Sequence, residues 1–240
     1  NKMNVKFEQD YKKYKIFIKN KKIKINNYKK KIMFDFLVVA MGSYSSELFN
    51  DNKNIFKKVQ KIFFGTGFGY LLKERKYSPK IKNDHTVYRT MNRGNACGFH
   101  LVPNSQNEYY FGASSTITHL EEKNPRISAI SALTGGLSNQ FSKHFLNYNS
   151  KPILGHRPIT ADTYPLLGPL DSCKKIIIAT GNKRDGFTAS PEISDIVAKY
   201  IDGDNTAFKK FKIFKPERNL ISYFDKEKAI LKTADGITVS

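Results

Sequence analysis

Two short apolar runs constrain what this chain can fold into. The first, Phe34-Asp35-Phe36-Leu37-Val38-Val39-Ala40-Met41, stops at Gly42; the second, Lys174-Lys175-Ile176-Ile177-Ile178-Ala179-Thr180, stops at Gly181. The apolar residues run on without alternating with polar ones, so each run reads as a strand buried on both faces, as in a parallel sheet covered by other layers. A closing glycine permits the tight turn that follows. More than half of the 240 residues lie between the two runs. If both strands share one sheet, that long stretch must leave the layer and return to it.

The intervening stretch reads as β-rich. Ile62-Phe63-Phe64, residues 69–72, 98–102 and 109–112 are short runs of aromatic and β-branched residues, separated by Gly, Pro, Asn and Ser. Residues 128–145 place Ile130, Leu133, Leu137, Phe141 and Phe145 on one helical face, interrupted by Gly135-Gly136. Residues 11–32 alternate lysine with Tyr14, Ile16, Ile18, Ile23 and Ile25, which predicts two half-exposed strands turning near Asn20-Lys21. A short helix opens within residues 43–49. After the second buried strand, Ser190-Pro191 predicts a helix start, with Ile193, Ile196, Val197, Tyr200 and Ile201 as its buried stripe and Gly203 as its stop.

Composition narrows the class. Hydrophobic residues at 40% and aromatics at 13% are those of a globular chain. No apolar run approaches the roughly 20 residues of a membrane helix, and no secretion signal is legible, so a cytoplasmic location is expected. Cys97 and Cys173 offer no metal or redox spacing and read as buried free thiols. The net charge of +20 invites a nucleic-acid reading, but only seven of the 41 basic residues are arginines, and Lys, Asn and Ile are abundant together. That pattern reads as compositional bias; a phosphate-reading surface draws more on the arginine fork. No metal site is predicted, and no single residue is assigned as a catalytic acid or base.

Two stretches carry candidate chemistry. Gly155-His156-Arg157-Pro158-Ile159-Thr160-Ala161-Asp162-Thr163-Tyr164-Pro165-Leu166-Leu167-Gly168-Pro169 is dense in turn residues, which predicts a rigid loop holding Arg157. Its fork suits a carboxylate. The second, Ala179 through Pro191, runs from a strand through a glycine loop into a helix, an arrangement that aims backbone N–H groups at an anion or a polar cofactor edge.

Together these stretches resemble the C-terminal signature of the glycine oxidase and D-amino-acid oxidase family of FAD-dependent enzymes. The supporting pieces are Asp35-Phe36-Leu37-Val38-Val39-Ala40-Met41-Gly42, His100-Leu101-Val102-Pro103, Phe111-Gly112-Ala113-Ser114 and Pro216-Glu217-Arg218. The resemblance spans residues 33–218. It implies an α/β (α+β) fold: the C-terminal part of an FAD-binding Rossmann-like domain carrying an inserted mixed or antiparallel β-sheet substrate domain. The implied division is residues 1–45 and 155–218 for the FAD-binding part, 46–154 for the β-rich substrate domain, and 219–240 for a charged tail.

The resemblance also implies roles. Arg157 matches the arginine that clamps a substrate carboxylate, and Arg184 a second arginine at the mouth of the site. His100 stands where the family usually has a tyrosine over the substrate, and Ser115 where glycine oxidase has a methionine. Gly42 and the loop Asn182, Lys183, Arg184, Asp185, Gly186, Phe187 and Thr188 match positions along the flavin. The implied reaction is hydride transfer from the amine-bearing carbon of an amino acid or secondary amine to flavin N5. No Gly-x-Gly-x-x-Gly turn precedes residue 33, so the segment seating the FAD pyrophosphate is expected to be missing or to come from another chain. The alternatives are a flavin dehydrogenase passing electrons to a carrier, an oxidase of a modified transfer-RNA base, and a non-catalytic binding module.

Overall fold

The structure, a computed structural model, describes residues 14–19, 22–26, 31–76, 87–89, 99–105, 107–219 and 235–238. Cys97 lies outside the described residues; Cys173 is half-buried and free.

The chain opens with an antiparallel meander, β1 (Lys15–Lys19), β2 (Lys22–Asn26) and β3 (Lys31–Phe34). The strand pair read from the lysine–isoleucine alternation is present: Ile16 pairs Ile25 and Ile18 pairs Ile23, with Ile16 and Ile23 in the core. The first apolar run does not form one buried strand. Its start completes β3, a bend follows at Asp35, and the second sheet begins with β4 (Leu37–Val39). Among the described residues β4 has a neighbour on one side only, so Val39 is buried while Val38 and Met41 are exposed.

That second sheet has the order β11 (Leu166–Pro169), β12 (Ile176–Thr180), β4, with β12 antiparallel to β11 and parallel to β4. Ile176, Ile177 and Ile178 are wholly buried because both faces of β12 are covered. One face carries the core of Val39, Leu48, Phe49, Phe56, Leu166 and Leu170, with α1 (Ser45–Asp51), α2 (Lys53–Phe56) and the meander. On the other, Ile177 meets Val197 and Tyr200 of α4 (Gly186–Ile201). The two runs read from sequence therefore share one sheet, as a parallel pair.

The larger sheet is built on β5 (Ile62–Lys73). One edge of β5 pairs along its full length with β10 (Asn149–Thr160); the other pairs with β8 (Glu108–Gly112) and β9 (Thr116–Thr118). Next to β8 come β7 (His100–Ser105) and β6 (Tyr88–Arg89), and β13 (Asp235–Thr238) pairs with β9. Part of the expected charged tail thus extends this sheet. One face is closed by α3 (Ile127–Gly136), whose Leu133 joins Phe68, Leu101, Phe111 and Phe145. Gly136 lets this helix approach: a Cβ there would overlap the ring of Phe99, whose Cδ2 and Cζ would lie 2.7 and 2.8 Å away. Ile130, expected on the buried face, is largely outside the core.

The helices after Gly42 pack with the small sheet, and Ile62, at the start of β5, belongs to the same core. β10 runs through residues 154 and 155 without a break. Among the described residues, no helix is long and apolar enough to cross a membrane.

Candidate active site

The stretch around Arg157 is a strand, not the turn its composition predicts. β10 accepts two prolines because, among the described residues, it pairs on one side only, with β5. The C=O of Pro158 accepts from Lys183 N–H at 3.1 Å, not from β5. In a strand the N–H and C=O of one residue point the same way, so the N–H that Pro158 lacks would have faced away from β5. Pro152 lies six residues earlier in the same phase, and neither proline removes a ladder hydrogen bond.

Arg157 owes its position to glycine. In β5, Gly65, Gly67 and Gly69 alternate with Thr66 and Phe68, so one face of that strand carries no side chain over three successive positions. Neighbouring strands fill the bare face. Ile159 lies over Gly65, and the Arg157 guanidinium lies over Gly67, where a Cβ would be 2.6 Å from Nη1 and 2.9 Å from Nη2. Tyr110 lies over Gly69 and Gly112. His100 pairs with Gly112 across β7 and β8 and so shares this face. Burial raises the Tyr110 phenol above its ordinary pKa, opposed by the positive charge of Arg157. Ser115, expected on a strand beside His100, lies instead in the link between β8 and β9, next to Ser114, which trades hydrogen bonds with the Phe68 backbone.

The second half of the site lies at the carboxyl ends of the parallel strands β4 and β12, the end where open α/β sheets bind ligands. Gly42 (φ +57°) and Gly181 (φ +82°) turn the chain there. Thr180 ties the two ends, its hydroxyl donating to Gly42 C=O at 2.9 Å. Side chains are excluded at Gly181, where a Cβ would be 2.9 Å from Thr160 Cγ2 and 3.3 Å from the Leu166 nitrogen. An open groove of about 630 Å³ follows, lined by Gly42, Pro158, Asn182, Lys183, Gly186 and the α4 residues Ser190, Ile193 and Val197.

The helix begins earlier than Ser190-Pro191 predicts. Asp185 is the N-cap residue, and Pro191 sits inside the helix. The Phe187 carbonyl, which a residue other than proline at 191 would have bonded, accepts instead from the Ser190 hydroxyl at 2.8 Å. Gly186, Phe187 and Thr188 are therefore the first turn of α4, not loop. Of the residues assigned to the cofactor, Gly42, Asn182, Lys183 and Gly186 come together on the groove. Arg184, Asp185, Phe187 and Thr188 are exposed around the start of the helix, Phe187 at 93%. Lys183 N–H bonding to Pro158 C=O joins the two halves of the site one residue from Arg157.

Two features were not singled out from sequence. Tyr110 was missed, although glycines spaced two apart at 65, 67 and 69 signal one bare strand face. The other is a polar junction between the layers. Tyr44 donates to Glu121 Oε1 at 2.7 Å; that oxygen lies 3.7 Å from His156 Nε2, and His156 Nδ1 is 3.0 Å from Thr66 Oγ1. The hydrogen bond to Glu121, with burial and the carboxylate's charge, pushes the Tyr44 phenol up to about 12. Phe64 meets both rings edge-on.

Asp162 and Arg218 serve the frame. Asp162 is wholly buried and takes Arg218 in a two-point ion pair of 2.8 and 3.1 Å, while Arg218 also donates to the carbonyls of Tyr164, Pro165, Phe214 and Lys215. The pair fixes the turn from β10 into β11 that abuts Gly181.

A family model described as FAD dependent oxidoreductase matches residues 14–200. The chain belongs to that family. FAD is the family's cofactor, and the bare strand ends, the mainly apolar groove and the adjoining helix start fit a flat ring with one polar edge. Solved structures with this fold include glycine oxidase from Geobacillus kaustophilus (17% identity, TM-score 0.64, 85% of this chain and 51% of that one). L-proline dehydrogenase from P. horikoshii gives 16%, 0.64, 87% and 54%, and iminodiacetate oxidase from Chelativorans sp. BNC1 gives 11%, 0.63, 85% and 52%. This family member thus spans about half the length of those proteins. No curated protein sequence matches it.

Proposed function

We propose that the protein oxidises the C–N bond of an amino acid or secondary amine, with Arg157 holding the substrate carboxylate. The observation that carries this reading is the Arg157 guanidinium laid on the bare face at Gly67, one residue from Pro158, which lines the strand-end groove. The names of the three solved structures, each an enzyme of an amine-bearing acid, support it. When bound, FAD supplies a hydride acceptor for the carbon bearing the amine. Positioning is the contribution of this chain. Arg157 fixes one end of the substrate by a charge-assisted pair, and His100 and Ser115 border it. Gly42, Asn182, Lys183 and Gly186 hold the flavin edge. The side chain of Asp185 does not cap α4, so the first-turn N–H groups of Gly186, Phe187 and Thr188, with Arg184 beside them, favour negative charge on that edge.

Among the described residues no glycine turn of the pyrophosphate-binding kind opens a helix. Among the described residues β4 is an edge strand, with Val38 exposed beside the apolar side of α4.

The test is anaerobic mixing of the full-length, FAD-loaded enzyme with glycine, L-proline, D-alanine and N-methylglycine, following loss of flavin absorbance. At least one acid should bleach the flavin, and Arg157→Ala should lower kcat/KM by about tenfold to a hundredfold, the loss of a hydrogen-bonded charge pair. Bleaching by none of them, or an unchanged kcat/KM in the variant, refutes the reading. Reoxidation by oxygen against an artificial dye separates oxidase from dehydrogenase.

A further inference from the structure

A second cavity, of about 480 Å³, opens between α1, α2 and the start of β5, and shares no lining residue with the strand-end groove. Its size is that of a small-molecule site. Phe49, Phe56 and Phe63 form a buried apolar wall; the first two rings lie 4.7 Å apart, and Phe63 meets the His119 ring at 5.2 Å. Leu120 also lines the cavity, although it is 77% exposed.

Three ammonium groups border this space. Lys53 and Lys57 stand one helical turn apart at the two ends of α2, and Lys61 directly precedes β5. All three are exposed, and none makes an ion pair with a described residue. By contrast Lys174, Lys199 and Lys215 each have an aspartate. Like charges one turn apart repel, and no described residue of the lining is acidic. Two neutral polar groups of the wall are already engaged. Ser46 donates to Ser43 C=O at 2.8 Å, and the Gln60 amide donates to Asp162 at 3.1 Å. An occupant therefore meets positive charge, the His119 ring, the Asn50 amide and an apolar wall.

The cations select the kind of anion. Each is a compact ammonium, and no arginine stands among them. The arginine fork matches a planar carboxylate. A phosphate has oxygens in three directions and nearly two negative charges, and so suits several point charges at once. The phenylalanine wall and Leu120 call for an apolar body on the same molecule.

We infer that this cavity binds a small phosphate monoester with an apolar body, at a site separate from the flavin and its substrate. The phosphate lies among Lys53, Lys57 and Lys61, and the body covers Leu120 and the phenylalanine wall.

The experiment is calorimetric titration of the full-length, FAD-loaded protein with phenyl phosphate, inorganic phosphate and phenol, at low and high salt. Phenyl phosphate should bind with a Kd below about 1 mM, weakened by salt, and the other two at least about tenfold less tightly. The double substitution Lys57→Gln with Lys61→Gln should lower the affinity for phenyl phosphate by about tenfold to a hundredfold. Lys57→Arg with Lys61→Arg should retain it, and Arg157→Ala should leave it unchanged. Both lysines are exposed, so either pair of substitutions leaves the core intact. Absence of binding overturns the inference, as does inorganic phosphate binding as tightly as phenyl phosphate. Binding lost in Arg157→Ala but kept in the glutamine pair assigns the anion to the substrate site and overturns it equally.

Discussion

Replacing Gly67 by alanine separates stability from substrate binding. The added Cβ would lie 2.6 Å from Arg157 Nη1, 2.9 Å from Nη2 and 3.1 Å from Cζ, against an ordinary contact near 3.5–4.0 Å. The guanidinium must therefore rise by roughly 1 Å. As the free end of a flexible side chain it can do so, at about 0.5–1.5 kcal/mol for a distorted rotamer. Alanine in a strand interior recovers about 0.5–1 kcal/mol relative to glycine, so the net effect on stability is about 1 kcal/mol or less. For a chain of this size that is a shift of roughly 2–4 °C in Tm. Substrate binding has no such compensation, because a misplacement of about 1 Å at a positioning group costs on the order of a hundredfold. The assay is kcat/KM with the best amino-acid substrate beside a thermal melt. A loss of kcat/KM by about tenfold to a hundredfold at nearly constant Tm is expected. An unaltered kcat/KM in a variant with intact FAD occupancy would refute the placement of Arg157 as the carboxylate anchor.

Asp162→Asn leaves Arg218, 7% exposed in its side chain, without its buried carboxylate; about 3–5 kcal/mol of stability should be lost, read as a drop in denaturation midpoint, and a loss below about 1 kcal/mol would contradict the role given to the pair. The Tyr44 phenol should titrate near 12, and Glu121→Gln should return it toward the ordinary value of 10.0, followed by tyrosinate absorbance. Its contribution to stability is fully present below the unfolded value and is lost as pH rises through the folded one, because only the unfolded chain releases its proton between them. A titration unmoved by Glu121→Gln would defeat the Glu121 carboxylate as the cause.

Much of the frame was legible in the residues. The pairing of Ile176–Thr180 with Leu37–Val39 follows from two uninterrupted apolar runs, and the meander from a strict lysine–isoleucine alternation. Errors came where residue type and environment disagree. Gly155 and Pro158 read as a turn, because local composition does not show that β10, among the described residues, has an edge without a neighbouring strand on which the N–H that Pro158 lacks costs nothing. Ser190-Pro191 read as a helix start, because a serine hydroxyl replacing the absent donor is a three-dimensional event. The glycines of β5 were visible, but their use depends on side chains from β8 and β10, brought there by pairings far apart in sequence. Arg157 was singled out for its chemistry, while Tyr110 had no local signal of its own.

The long ladder between β5 and β10 has a mechanical consequence. Both strands start or end at the small sheet and continue as the spine of the large one, paired over twelve residues without a bulge. Such a ribbon acts as a splint across the two layers. Swinging one sheet away from the other would mean bending the ribbon in its stiff direction or unzipping its hydrogen bonds. The two sheets should therefore move as one body, and hinge rotation of one against the other is disfavoured.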